Sequence, residues 1–127
     1  MSSSDLLAKY KASNEAIFLS KDIEAVSSNF SKYYADSMQA DVQGGIKNAQ
    51  EFLQSLVEMR KVLSDVKLEY VKQIVSGRNI GSYEKLTATK PDGSIASGSA
   101  LILATFGEEG TPDEDKIVAF RECLEIA

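Results

Sequence analysis

The chain has 127 residues, a net charge of −5 and neither histidine nor tryptophan. This length predicts a single domain over 1–127, and an apolar content of 43% is enough for one core. The lack of histidine excludes Ser-His-Asp triads, Cys-His pairs and histidine-ligated metals. The acidic balance argues against nucleic acid and against a membrane surface as partners.

Helical periodicity marks the first part of the chain. Apolar residues at three- and four-residue steps predict a helix over roughly 5–19. Asp22 is a good N-cap for a second helix, which we expect to end near Phe30. Residues 33–42 then partly alternate and predict a strand that ends at Gly44-Gly45.

The clearest helical pattern follows this strand. Asn48 and Glu51 form a capping-box pattern, with Asn in place of Ser or Thr. Apolar residues after them recur with a helical period and predict a third helix over roughly 48–63.

The second half of the chain changes to a period of two. Val66, Leu68 and Tyr70 predict a strand, and a break in the alternation predicts a bulge near Val71-Lys72. Three further strands are predicted over roughly 80–90, 94–106 and 116–126, the last after an acidic loop. Helices grouped before an antiparallel meander indicate an α+β fold.

This order of elements, together with three local segments, resembles the nuclear-transport-factor-two-like superfamily. The segments are 22–26 at the second helix, 34–42 with its glycine turn, and 116–122 in the last strand. Within the superfamily the chain resembles the SnoaL-like branch, which is polyketide cyclase-like and ketosteroid-isomerase-like. The resemblance implies a cone-shaped α+β roll. Three N-terminal helices would pack on a curved, mostly antiparallel sheet and leave a conical pocket.

The resemblance also implies where catalytic residues would lie. The ketosteroid-isomerase branch uses a tyrosine on the first helix and two aspartates on strands. Matched by motif, these positions are occupied by Asn14, with Tyr10 one turn earlier, by Val42 or the preceding Asp41, and by about Ile102. An apolar side chain cannot exchange a proton, and Asn is not an acidic donor, so we do not expect steroid isomerisation.

Strand parity decides whether the Asp41 carboxylate or the Val42 side chain faces the pocket. If Val42 points inward, Ala40 and Met38 also do, and Asp41 faces away. A shift of one residue reverses this arrangement and places Asp41 in the pocket, so both alternatives stay open.

Glu122 is a second candidate acid or base. It shares parity with Phe120 and Leu124, and a carboxylate on an apolar face has a raised pKa. The alternative is an exposed strand residue paired with Arg121 or with a neighbour across the sheet. The same argument applies more weakly to Glu84, and Cys123 is expected to be a small buried residue.

Three functions are therefore open. The first is a SnoaL-like domain that binds a small apolar molecule in the conical pocket. The second is an enzyme of isomerase, cyclase or dehydratase type that uses Asp41 or Glu122 as acid or base. The third is a dimeric protein-interaction module. Candidate ligand-binding residues are Tyr10, Asn14, Met38, Val42, Leu56, Tyr70, Ile102 and Phe120.

No cofactor and no metal are expected, because the chain has no phosphate-binding loop or dinucleotide motif and no EF-hand spacing. The strand predicted over 94–106 is apolar on both faces near its end, so we expect a homodimer through the sheet face that carries Leu101 and Leu103. A single cysteine and the absence of a signal-peptide pattern predict a cytoplasmic protein.

Overall fold

The protein is described by a computed structural model that covers residues 3–126, with side chains from Asp5 to Glu125. Within residues 3–126 there are three helices and six strands. The helices are α1 (Ser3–Ile17), α2 (Ile23–Tyr33) and α3 (Ala49–Val62). The strands are β1 (Tyr34–Val42), β2 (Gly45–Asn48), β3 (Ser64–Ser76), β4 (Asn79–Thr89), β5 (Ile95–Phe106) and β6 (Ile117–Ile126).

All six strands form one curved sheet in the order β2-β1-β6-β5-β4-β3. β3 to β6 form the antiparallel meander that the alternating half of the sequence predicts, and β1 pairs in parallel with β6. The three helices pack on this sheet, which confirms the predicted α+β cone. The predicted bulge is confirmed by a register shift between Tyr70 and Lys72.

The short strand β2 is absent from the sequence-based prediction, which ends the strand at Gly44-Gly45. Gln43 and Gly44 have φ values of 53° and 85°, and this tight turn sends the chain back along β1. The residue that precedes the turn stabilises it, because a side-chain oxygen of Asp41 accepts a hydrogen bond from the Gly44 amide at 3.0 Å.

Both predicted N-caps are confirmed. The Asp22 side chain accepts a hydrogen bond from the Glu24 amide at 3.0 Å. Asn48 and Glu51 form a complete capping box, with distances of 2.9 and 3.0 Å between each side chain and the other residue's amide. The capping box fixes the start of α3, whose inner face then lies against the sheet through Phe52 and Leu56.

An aromatic cluster joins α2, α3, β1 and β6. The rings of Phe30 and Tyr34 stack with centroids 4.7 Å apart, and those of Phe52 and Phe120 lie 5.2 Å apart. All four side chains are buried. Because aromatic side chains bury large areas, this cluster stabilises the packing of α2 and α3 on the β1–β6 part of the sheet.

The buried guanidinium of Arg60 connects α3 to the end of α1. It donates one hydrogen bond to the carbonyl oxygen of Ile17 at 2.7 Å and another to that of Ser20. A cation at a helix C-terminus is favourable because it satisfies carbonyl groups that have no partner within the helix. Arg60 therefore holds the α1–α2 connection, which includes Phe18, against α3.

The acidic loop is held by Arg78. Its Nε atom donates to the Gly107 carbonyl at 2.8 Å, and Nη2 donates to the Glu114 carbonyl. A Cβ atom on Gly107 would lie 2.3 Å from the Asp113 carbonyl oxygen, so only glycine fits there.

In the described part of the chain, no group of three or more acidic, cysteine or histidine side chains is placed to hold a metal ion. None of the helices within residues 3–126 is both long and apolar enough to cross a bilayer.

Candidate functional site

A cavity of about 220 Å³ lies between α3 and the inner face of the sheet. Three polar side chains line it: Glu84, Glu122 and Ser55. The rest of the wall is apolar and consists of Phe18, Val42, Phe52, Leu56, Met59, Leu63, Val66, Leu68, Leu86, Ala88, Ala100, Ile102 and Leu124.

An alanine on β5 keeps this space open. Ala100 pairs with Glu84 on β4 and with Leu124 on β6, so these three side chains form one row across the inner face. Ala100 is buried and presents only a methyl group. A larger side chain at this position would fill part of the cavity.

Glu84 is buried in the wall and is held by two hydroxyl groups. It is 2% exposed, and it accepts a hydrogen bond from Tyr10 and another from Ser82 at 2.7 Å. The Ser82 hydroxyl in turn accepts from Gln73 at 3.2 Å. Burial raises the pKa of Glu84, while the hydrogen bonds from Tyr10 and Ser82 act in the opposite direction.

Glu122 differs from Glu84 because its carboxyl group has no hydrogen-bond or ion-pair partner in the part of the chain that the structure describes. Burial raises the pKa of Glu122 to about 7, and the nearby charge of Glu84 adds to this shift. Near neutral pH the group therefore exchanges its proton readily. Such a carboxyl suits general acid–base chemistry or a charge-dependent contact with a ligand.

Asp41 lies on the opposite face of the sheet. One of its oxygen atoms is 3.7 Å from Nε of Arg121, and the other accepts from the Gly44 amide. Val42 lines the cavity instead, because it pairs with Glu122 across β1 and β6 and shares its face. This geometry excludes the alternative in which Asp41 faces the pocket, and Asp41 is not retained as a candidate acid or base.

Of the eight residues predicted to bind a ligand, Val42, Leu56 and Ile102 line the cavity. The side chain of Tyr10 is instead bonded to Glu84, and Asn14 donates a hydrogen bond to Tyr70 at 3.2 Å. The remaining two, Met38 and Phe120, are core residues with exposures of 1% and 2%.

Other residues of the wall are not among the predicted ones, although the sequence contains the signal for them. Met59 lies on the apolar stripe of α3, one turn after Leu56. Leu68 and Leu86 follow the inward parity of β3 and β4 and pair with each other.

The expectation that Cys123 is a small buried residue is wrong, because this residue is exposed on the outer face.

No family model and no curated protein sequence matches this chain. Its structure is similar to AclR, a hydroxylase candidate from Streptomyces galilaeus, with a TM-score of 0.79 and 14% identity over 98% of this chain and 77% of that one. It is similar to a SnoaL-like polyketide cyclase from Agrobacterium tumefaciens, with a TM-score of 0.72 and 12% identity over 98% and 93% of the two chains. An NTF2-like protein of unknown function from Exiguobacterium has a TM-score of 0.72 and 17% identity over 94% and 98%.

Identities of this size establish the fold and leave the activity open. The sequence resemblance and these structures agree on the same arrangement of helices and strands. The chain therefore has the NTF2-like α+β fold, which it shares with SnoaL-like proteins.

Proposed function

We propose that this protein binds a small, mainly apolar molecule in the cavity between α3 and the sheet. The observation that supports this function is an open cavity of about 220 Å³ with an almost entirely apolar wall. An engineered apolar cavity of about 150 Å³ is large enough for benzene, so this one suits a molecule slightly larger than a single ring. Burial of the ligand's apolar surface would supply the affinity.

Filling the cavity should abolish this binding. In Ala100→Leu, the added side chain occupies the space that the row across β4, β5 and β6 leaves open, while the fold keeps its core. We expect titration calorimetry with uncharged one-ring probes such as cyclohexylmethanol to show binding to the wild type and at least about tenfold weaker binding to this variant.

The matched control is Ala8→Leu, which adds the same atoms at an exposed position of α1. It should bind the probes like the wild type. Equal affinity of wild type and Ala100→Leu would contradict binding in this cavity.

A second candidate function is an acid–base enzyme of isomerase or cyclase type, and one observation favours it. Glu122 is a carboxyl group in an apolar cavity, and its pKa is raised to about 7. A group that titrates near the working pH is suited to proton transfer. Any such activity would depend on Glu122 and would be insensitive to Asp41→Asn, because Asp41 lies outside the cavity.

We also propose that a second copy of this chain covers the outer face of β3, β4 and β5. Leu101 and Leu103 are 60% and 45% exposed there, and Ile74, across Gly81 from Leu103, is 60% exposed. Contiguous exposed apolar side chains on a sheet face are typical of an interface. The same face carries charges of both signs, which allows a self-complementary two-fold contact.

Size-exclusion chromatography with light scattering tests this dimer. We expect a dimer at micromolar concentration for the wild type and a monomer for Leu101→Glu, because the new carboxylate would be buried without a partner. Val62→Glu replaces another exposed apolar residue, at the end of α3, and should stay dimeric. A monomeric wild type would refute the proposal.

We infer a cytoplasmic location from the single cysteine, which is compatible with a reducing environment.

A further inference from the structure

We propose that the cavity selects a ligand with a basic amine, whose ammonium group lies beside Glu122 and whose apolar body lies against the aliphatic wall. This inference rests on the proposed binding function and names the chemical class of the ligand. Two observations support it. The cavity wall carries acidic side chains and no basic ones, and Glu84 has hydrogen-bond donors where Glu122 has none among the described residues.

All ionisable side chains in the cavity wall are acidic. Glu84 and Glu122 are its ionisable residues, and none of the lining residues is Lys or Arg. The basic residues of α3 are Arg60 and the exposed Lys61, and the buried Arg60 guanidinium donates to the Ile17 and Ser20 carbonyls. A carboxylate in apolar surroundings is costly unless a cation or hydrogen-bond donors compensate it. The described residues supply such donors to one carboxyl group and not to the other.

Glu84 is the carboxyl group that has donors. The hydroxyl groups of Tyr10 and Ser82 both donate to it, so its bonding capacity toward a ligand is already partly used. Glu122 has no such donors among the described residues, and it faces the cavity. Glu122 is therefore the group to which a ligand cation would bind, while Glu84 adds to the negative potential.

The other titratable groups around Glu122 are the carboxyl group of Glu84 and the hydroxyl groups of tyrosine side chains. Glu84 on β4 and Tyr34 on β1 interact with its charge directly, and Tyr10 and Tyr70 interact with Glu84. The Tyr34 hydroxyl is fully buried and makes no hydrogen bond of ordinary geometry among the described residues. None of these groups brings positive charge, and the cavity-lining residues of α3 are uncharged. A positive charge at this place would have to come with the ligand.

The same arrangement ranks three head groups. An ammonium group gains a charge-assisted hydrogen bond to Glu122, a hydroxyl group gains a neutral one, and a carboxylate is repelled by the ionised Glu122. The preference depends on pH, because the ammonium group needs the ionised form of Glu122. The pKa of Glu122 is about 7, so ionisation is nearly complete at pH 8 and largely lost at pH 5.

Titration calorimetry with three probes that share one ring tests the inference. The probes are cyclohexylmethylamine, cyclohexylmethanol and cyclohexanecarboxylate. At pH 8 we expect the amine to bind roughly tenfold to a hundredfold more tightly than the alcohol, the range that a hydrogen bond to a charged group supplies, and the carboxylate not to bind. The advantage of the amine should shrink as the pH is lowered to 5.

Glu122→Gln should lose the preference for the amine and keep the affinity for the alcohol, which also shows that the variant is folded. The control is Glu125→Gln, which removes the same charge from an exposed position of β6 and should keep the preference. Equal binding of amine and alcohol to the wild type, or an amine preference that survives in Glu122→Gln, would overturn the inference and leave the binding function standing. Failure of all three probes to bind would count against both.

Discussion

Glu122→Gln should make the protein more stable at pH 8 by up to about 3 kcal/mol and have little effect at pH 4. The pKa of Glu122 rises from the usual 4.5 to about 7 in the folded protein. The folded state therefore holds the proton more tightly than the unfolded chain does. The stabilisation from this proton is complete below pH 4.5 and is lost as the pH rises through 7. Gln has no charge to bury, so the unfolding free energy of the variant does not decrease in this way as the pH rises.

Urea unfolding of both proteins at several pH values between 4 and 8 measures this difference directly. Comparing wild type with variant cancels the contributions of all other titrating groups that the substitution leaves unchanged. Glu125→Gln is the control, because the exposed carboxyl group at that position is solvated in both states. A constant difference between wild type and Glu122→Gln across this pH range would show that Glu122 is not buried in an apolar cavity.

Arg60→Met should destabilise the fold by about 3 kcal/mol, since hydrogen bonds to charged groups contribute roughly 1.5–3 kcal/mol each. The substitution keeps much of the aliphatic stem and removes the donors to Ile17 and Ser20. The carbonyl group of Ile17 at the end of α1 and that of Ser20 in the α1–α2 connection then lose this partner. Because Phe18 in this connection is part of the cavity wall, the affinity for uncharged probes should fall as well.

Lys61→Met is the matched control for this variant, because Lys61 is the next residue of α3 and is exposed. Its unfolding free energy should stay within about 0.5 kcal/mol of the wild type. Urea unfolding and probe titration of both variants check the two effects. An equal loss of stability in Arg60→Met and Lys61→Met would contradict the role given to the Arg60 guanidinium.

Local patterns predict most of the secondary structure because they involve residues close in sequence. A capping box needs residues three positions apart, so Asn48 and Glu51 mark the start of α3. The bulge at Val71 shows as a break in alternation. β2 gives no such signal, since its four residues include one apolar side chain, Ile46, and its pairing depends on a turn with a positive φ at Gln43.

The site is less predictable because its key contacts join distant parts of the chain. Parity with Phe120 places Glu122 on the inner face. For Asp41, the sequence leaves both faces open until the register between β1 and β6 is known. The contact between Tyr10 and Glu84 joins residues 74 positions apart, and no local pattern indicates it. Tyr10, which the sequence analysis predicts to bind a ligand, is therefore a hydrogen-bond partner of the buried Glu84.

The central claim is that an open, apolar cavity lies between α3 and the inner face of the sheet, and xenon tests it most directly. Xenon enters dry apolar cavities and is located in crystals by its anomalous scattering. We predict a xenon site in wild-type crystals in contact with Leu56, Ala100 and Ile102, and no such site in Ala100→Leu. Wild-type crystals with no xenon between α3 and β5, or with side chains that fill this space, would contradict the claim.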